Sequence, residues 1–333
     1  PAKFVQGLVR ESGEPVIRTA MMQAMRIMGE QFVLGRNVSA AIKRGKKMIR
    51  EDDAATFSFD MLGEGARTQK DADRYFAAYK SAIIQVKKET TGKTPELQNG
   101  ISVKLSALHA RYDSLHQDRV MTEMYPRVLE LCEMAKDAGI NLCIDAEEAD
   151  RLIIQLEILD KLAHEPSLQG WSGLGLALQA YQKRASVVID RLIKLSETTG
   201  MRLMVRLVKG AYWDTEIKHA HVHGVEDFPV FTTKDGTDVN YLYCARKLLE
   251  ASPAIYPQFA THNAHTLASL RLIADELNVD AFEFQRLHGM GEPLYKAAGE
   301  ANRVRVYAPV GAHKDLLPYL VRRLLENGAN SSF

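Results

Sequence analysis

A chain of 333 residues, 46% of them hydrophobic, can bury a large core but is short for several domains of ordinary size. Lys plus Arg (43) nearly cancels Asp plus Glu (42), leaving +1, so no overall field recruits nucleic acid or an anionic membrane. The odd, scattered Cys132, Cys143 and Cys244 form no C-x-x-C and point to reduced thiols in the cytosol, not a disulfide frame or a zinc site.

No apolar run nears the roughly 20 residues of a membrane helix, and the first residues do not read as a signal peptide. Opening on Pro1 and stopping at Phe333, the chain is expected to be a piece of a longer polypeptide. Residues 1–50 read as helices. Met21, Met22, Met25 and Met28 suit core packing, and Ser39 is the expected cap of a helix whose basic run, residues 43–50, forms a solvated face.

From residue 56 a rhythm begins. Short apolar, β-branched runs stand at residues 56–62, 101–108, 142–146, 174–180, 202–212, 259–263, 281–287 and 304–310. Each is near-continuously apolar, as strands buried on both faces are. Amphipathic helical stretches lie between them, at 71–88, 123–138, 151–163, 187–198 and 267–277, with Gly92, Gly139 and Gly200 where helix C-caps belong. Strict β/α alternation implies parallel pairing, and eight units imply closure into a (βα)8 TIM-type barrel. An open doubly wound sheet is disfavoured because no Gly-rich turn follows the first strand. Gly173-Leu-Gly175 and Gly289-Met-Gly291 lack the strand–turn–helix setting and read as loops. The long connection from Trp213 to about Asn240 carries His219, His221 and His223. Their alternate spacing would suit a metal in an extended chain, but a surface loop or helix start is the favoured reading.

In a barrel, the last residues of each strand face the catalytic mouth. Strand one ends near Glu64, and strand two holds Lys104. Strand three closes on Asp145, followed by Glu147 and Glu148, and strand four on Gln179. Strand five carries Arg206 and Lys209 before Gly210, Tyr212 and Trp213. Strand six ends His262-Asn263, strand seven Gln285-Arg286-Leu287-His288, and strand eight offers Tyr307. Lys104 and Arg206 interrupt apolar runs, where an unpaired charge is very costly, so each needs a partner. Asp145 is the candidate for Lys104, as a stabilising pair or as part of a site.

Near the C-terminus, Tyr319, Arg322, Arg323 and Glu326 share one helix face, with Leu317, Leu320, Val321, Leu324 and Leu325 on the other. That pattern fits an outer helix with its polar face in water. It fits equally a carboxylate clamp of two guanidinium forks, if the helix lies across the mouth. Pattern alone leaves four readings open. They are a flavin- or nicotinamide-dependent enzyme acting on an anion, a Schiff-base aldolase using Lys104 or Lys209, a metal hydrolase on Asp145, His262 and His288, and a non-catalytic binding barrel. The hydrolase is the least attractive, since the mouth offers few clustered ligands.

The runs Ser102-Val-Lys-Leu-Ser-Ala-Leu-His109, Ile144-Asp-Ala-Glu-Glu148 and Val205-Arg-Leu-Val-Lys-Gly-Ala-Tyr-Trp213 carry a further signal. So do Ala260-Thr-His-Asn-Ala-His265, Glu283-Phe-Gln285, His288-Gly-Met-Gly-Glu-Pro293, Tyr307-Ala-Pro-Val-Gly311 and Tyr319-Leu-Val-Arg-Arg-Leu-Leu-Glu-Asn-Gly-Ala-Asn330. Together they resemble the proline dehydrogenase domain of the bifunctional bacterial proline utilization A flavoproteins. Residues 36–333 resemble its barrel, and residues 1–35 the helical segment before it.

The resemblance implies FAD bound without a Rossmann fold and oxidation of L-proline to Δ1-pyrroline-5-carboxylate, the first step of proline catabolism to glutamate. Electrons would pass to a membrane quinone, and the last helix would lie over the mouth. It implies that Arg322 and Arg323 hold the substrate carboxylate, that Glu64 pairs with Arg322, and that Lys104 and Asp145 form a charge pair beneath the substrate. Tyr212, Leu287, Tyr307 and Tyr319 would wall its ring. Arg206 would hydrogen-bond the isoalloxazine. Asp145, Ala146, Gln179, Val208, Lys209, Gly210, Ala211, Thr261, His262, Asn263 and Gln285 would contact the flavin, with Arg323 and Glu326 nearby. Trp213 would stack on the adenine beside Thr232, Thr233, Lys234 and Thr237. No metal is implied. The segment 299–303 looks shorter than in many relatives. Longer members add a DNA-binding or an aldehyde dehydrogenase domain. Fusion to the latter is expected in the parent polypeptide, cytoplasmic or peripheral at the inner membrane face. Neither domain's motifs occur here, so this chain alone should neither bind DNA nor make glutamate.

Overall fold

The computed structural model describes residues 31–51, 54–92, 94–300, 303–311 and 319–322, with isolated positions between 16 and 29. Eight parallel strands close in sequence order: β1 (Thr56–Met61), β2 (Gly100–Val103), β3 (Leu142–Ile144), β4 (Leu174–Gln179), β5 (Leu203–Val208), β6 (Ile255–Ala260), β7 (Glu283–Leu287) and β8 (Val304–Val310). β8 returns to β1 in register from Thr56↔Arg305 to Met61↔Val310, so no edge is left exposed. The chain is therefore a (βα)8 TIM-type barrel.

Helices cover the outside: α1 (Val38–Arg50), α2 (Gln69–Lys87), α3 (Tyr125–Asp137), α4 (Leu152–Ala163), α5 (Ala185–Thr199), α6 (Trp213–His223), α7 (Lys234–Glu250), α8 (Ala264–Leu277) and α9 (Glu292–Ala297). Their starts are chemically marked. Thr68 and Asp71 form a capping box on α2, and Asn263 accepts from Thr266 N–H at the head of α8. Asn37, not Ser39, caps α1, its Oδ1 accepting from Ala40 N–H at 2.9 Å. Gly200 ends α5 in the left-handed region, whereas Gly92 lies beyond the end of α2 rather than capping it. Before the first helix, Leu34 N–H donates to Pro309 O and Gly35 bridges Val310, tying the entering chain to β8.

Strand side chains alternate between the helices and the lumen. In β1, Phe57 and Phe59 join the apolar layer under the helices, while Ser58 reaches Arg206 across the barrel. Burying each Phe contributes about 1.5–3 kcal/mol. In β1 the apolar side chains thus face the helices and the polar ones the lumen. That alternation was not expected from runs that read as continuously apolar.

Other differences have local causes. β6 lies about four residues earlier than the expected 259–263, because Pro257 and Gln258 interrupt the apolar signal. Gln258 turns inward, where its Nε2 donates to Glu283 at 2.7 Å. β2 stops at Val103 and a 3-10 turn, Leu105–Ala107, carries the apolar run onward, since burial alone does not distinguish strand from turn. Gly173-Leu-Gly175 opens β4 rather than forming a loop. A Cβ on Gly175 would lie 2.6 Å from Met204 O. Most of the long connection after β5 is helical, as α6 and the start of α7. There His219 and His223 meet edge to face, and His221 packs on Phe228 instead.

Candidate active site

The C-terminal strand ends open into a cavity of about 500 Å³, a size usual for small-molecule sites. Lys104 lines it just past β2, Asp145 and Ala146 past β3, and Gln179 from the end of β4. Arg206 and Val208 enter from β5, and Lys209, Gly210, Ala211 and Tyr212 from the turn that follows. Thr261, His262 and Asn263 follow β6, Gln285 and Leu287 lie on β7, and Tyr307 on β8. Tyr319 and Arg322, from helical residues 319–322, also line it and bring that helix to the mouth. Gly210 has φ +137, and a Cβ there would sit 2.5 Å from the Tyr181 ring, so the backbone comes this close only as glycine.

A buried charge network stands at the base. Lys104 Nζ donates to Asp60 Oδ2 at 2.9 Å, to Asp145 Oδ2 at 3.0 Å and to the Tyr307 hydroxyl at 3.0 Å. Tyr307 in turn donates to Asp145 Oδ2 at 2.6 Å. Arg206 gives Asp145 Oδ1 a 2.7 Å bond and reaches Ser102 and Ser58 at 2.9 and 3.3 Å. Burial alone would pull Lys104 down, but Asp60, Tyr307 and Asp145 outweigh it and hold the ammonium well above its usual range. Burial likewise pushes Asp145 up, yet Lys104 and Arg206 prevail and keep it ionised below the ordinary carboxylate value.

A second pair closes the rim. Arg322 donates bidentately to Glu64, Nη2 to Oε2 at 2.6 Å, with its guanidinium over the Tyr212 ring. Burial raises Glu64, and the hydrogen bond and charge of Arg322 overcome it, so the carboxyl sits below its usual value.

Several expected residues stand apart from this cavity. Trp213 donates its Nε1–H to Phe231 O at 2.8 Å, Thr232 is exposed, and Thr233 caps α7. Lys234 reaches Asp238 at 2.6 Å, and Thr237 is buried within α7. Arg323 and Glu326 lie outside the described residues. Conversely, the apolar-run reading missed Asp60, Ser58 and Ser102. The signal was their alternation with Phe57, Phe59 and Val103, which puts them in the lumen.

The geometry narrows the open chemistries. A Schiff-base lysine needs a depressed pKa. Lys104 is shifted the other way, and Lys209 is bound to Asp238 at 2.5 Å. His262 Nε2 accepts from Leu287 N–H at 3.0 Å, and His288 is buried with both ring nitrogens unpartnered among the described residues. No three His, Cys, Asp or Glu among the described residues cluster to hold a metal.

A family model described as proline dehydrogenase matches residues 41–333. The chain belongs to the proline dehydrogenase family. It is 53% identical over 340 residues to the bifunctional protein PutA of Salmonella typhimurium, covering all of this chain and 26% of that protein. It is 27% identical over 329 residues to proline dehydrogenase 1 of Bacillus subtilis, covering 98% of this chain and 95% of that one. A crystal structure of proline utilization A from Bradyrhizobium japonicum superposes with a TM-score of 0.84 at 54% identity, over 98% of this chain and 33% of the other. This member of the family thus spans about a quarter of the length of the PutA protein it matches.

Proposed function

We propose that this domain oxidises L-proline to Δ1-pyrroline-5-carboxylate with FAD bound in the barrel mouth. The observation that carries the reading is the Arg322–Glu64 pair at the rim of a cavity whose base is the Lys104–Asp145–Arg206 network, in a chain of this family. The residues present fit a flavin. Arg206 Nε and Gln285 Oε1 are buried donor and acceptor atoms without partners among the described residues, on side chains that line the cavity, beside the open backbone of Gly210. FAD there supplies the hydride acceptor, at flavin N5.

Arg322, with Arg323, binds the substrate carboxylate, and Glu64 holds Arg322 in place until it does. Tyr212, Leu287, Tyr307 and Tyr319 enclose the apolar ring and exclude water. Arg206 favours the electron-rich form of the bound ring by its charge. Asp145, Ala146, Gln179, Val208, Lys209, Ala211, Thr261, His262, Asn263 and Gln285 would hold the flavin, and Trp213, Thr232, Thr233, Lys234, Thr237 and Glu326 its adenine and ribose half. Residues 36–333 would form the catalytic barrel; the expected helical lead-in, 1–35, lies mostly outside the described residues. No helix among the described residues is long and apolar enough to cross a membrane. Electrons would pass to a membrane quinone, with the parent protein cytoplasmic or peripheral at the inner membrane face. A fused aldehyde dehydrogenase would complete the conversion to glutamate there.

The test is a visible absorption spectrum of the purified domain before and after anaerobic proline. A yellow protein that proline bleaches is the expected result. A flavin-loaded protein indifferent to proline, or one unable to take up FAD, would overturn the proposal.

A further inference from the structure

We propose that Asp60 receives the proton that the substrate amine loses before oxidation, delivered through Nζ of Lys104. The inference rests on the proline-oxidising reading, because hydride can leave the carbon beside nitrogen only once that nitrogen has a lone pair.

Two carboxylates flank Lys104, and they are not equivalent. Both oxygens of Asp145 are partnered, Oδ1 accepting from Arg206 at 2.7 Å and Oδ2 from Lys104 at 3.0 Å and Tyr307 at 2.6 Å. On Asp60, Oδ2 accepts from Lys104 at 2.9 Å, while the buried Oδ1 has no partner among the described residues. Asp60 is 1% exposed and absent from the cavity lining, so it stands behind Lys104, which does line the cavity. The groups facing Asp60 are Lys104 past β2, Asp145 past β3, Tyr307 on β8 and Tyr79 on α2. The Tyr79 hydroxyl accepts from Lys104 N–H at 3.2 Å.

Burial drives the Asp60 carboxyl upward, Lys104 offsets this only in part, and the Asp145 charge adds to it. Two carboxylates whose surroundings push their affinities for a proton apart divide the acid–base work between them. Asp145 stays a fixed counter-charge, and Asp60 is the one able to take a proton.

The step balances without a change of oxidation state. The N–H bond of the bound secondary ammonium breaks, its electron pair stays on nitrogen, and the proton joins Lys104 Nζ as another Nζ proton moves to Asp60. Lys104 ends as it began, Asp60 is a carboxylic acid, and the substrate is a neutral amine with its carboxylate intact. At the base of the mouth Lys104, Arg206 and Asp145 stay charged, while the substrate carboxylate stays with Arg322 at the rim.

The experiment uses the FAD-loaded domain. Infrared difference spectra on anaerobic reduction by proline should show a protonated-carboxyl stretch that shifts in D2O and is missing in Asp60→Asn. Stopped-flow reduction of Asp60→Asn should be slower by about 10²–10⁴-fold near neutral pH. Its rate should climb steadily with pH as solvent takes the proton, while affinity for cyclopentanecarboxylate, which lacks the amine, is unchanged. Asp60→Glu, which keeps the carboxyl, should retain the band and the wild-type form of the pH profile. Wild-type bleaching without the band, a band that persists in Asp60→Asn, or an Asp60→Asn variant with wild-type rate and pH profile removes this inference alone. Wild-type protein that proline fails to bleach removes the proposed function and this inference with it.

Discussion

Replacing Arg322 by Ala tests the clamp and its partner together. A charge-assisted hydrogen bond to a carboxylate is worth about 1.5–3 kcal/mol, so the proline KM should rise roughly 10- to 150-fold relative to wild type. A second effect is built into the geometry. Arg322 and Glu64 are 14% and 24% exposed, so the freed Glu64 stays largely desolvated. In the native pair burial raises Glu64 and Arg322 overcomes it; without Arg322 the burial, helped by Asp145, is opposed by the more distant Lys104 charge alone. The freed carboxyl therefore titrates higher than in the wild type. Above that value it is a negative charge repelling a carboxylate substrate, and below it is neutral. The KM ratio of variant to wild type should thus be largest at high pH and shrink as pH falls through the freed Glu64 value. In Glu64→Gln/Arg322→Ala the ratio should be smaller and flat with pH. The assay is steady-state oxidation of proline with an artificial electron acceptor, with flavin occupancy read from the absorption spectrum. An unchanged KM in Arg322→Ala, or a ratio that ignores pH, would refute the reasoning.

His288 should leave a mark on stability. Burial and the nearby Arg44 and Arg286 push its imidazole down to about 3 from 6.5. Between those values the unfolded chain binds a proton that the folded one refuses, so stability is lost as pH falls across the window, at up to ~1.4 kcal/mol per pH unit. Urea unfolding of His288→Asn between pH 6.5 and 4 should decline less steeply than wild type, and parallel curves would refute the assignment. Arg305 and Glu283 form a buried pair, 1% and 7% exposed, at 2.6 and 3.0 Å. Arg305→Met should cost about 3–5 kcal/mol by leaving Glu283 unpaired, and Arg305→Met/Glu283→Leu much less. A single variant no less stable than the double would count against it.

The barrel was legible because apolar runs and helical periods alternate, and tertiary packing left both in place. What escaped was which face of each strand the charges occupy. Lys104 and Arg206 stood out as charges inside apolar runs, and the need for a counter-charge led to Asp145. Asp60 carried the same information but sat in a run dominated by Phe57, Phe59 and Met61, where its alternation with them was the signal and the pairing register with Ser102 places it inside the lumen. β6 was misplaced for the same reason, since Gln258 is polar because it faces inward. Pattern could not decide whether Arg322 faces water, because one helix face looks alike in either setting. The ion pair to Glu64, 258 positions away in sequence, decides it.

The lumen holds two polar layers with different character. Near the strand N-termini, Arg305 is saturated by Glu283 and by the carbonyls of Gln98 and Glu96. Toward the mouth, the layer of Asp60, Lys104, Asp145, Arg206 and Tyr307 keeps Asp60 Oδ1 and Arg206 Nε unpartnered among the described residues. Apolar side chains of similar volume would stabilise a barrel as well as buried ion pairs do, so stability alone explains neither layer. In the first layer the open atom is the neutral Gln258 Oε1, and the layer's saturated ion pair cannot exchange a partner or a proton without first breaking a bond in low dielectric. An unsaturated network can, at the atoms left open. Gln285 joins the two, its Nε2 fixed to Glu283 at 2.8 Å while its side chain lines the cavity. The closed layer thus holds an amide of the open layer in one orientation, with the rigidity on one side of Gln285 and the chemistry on the other.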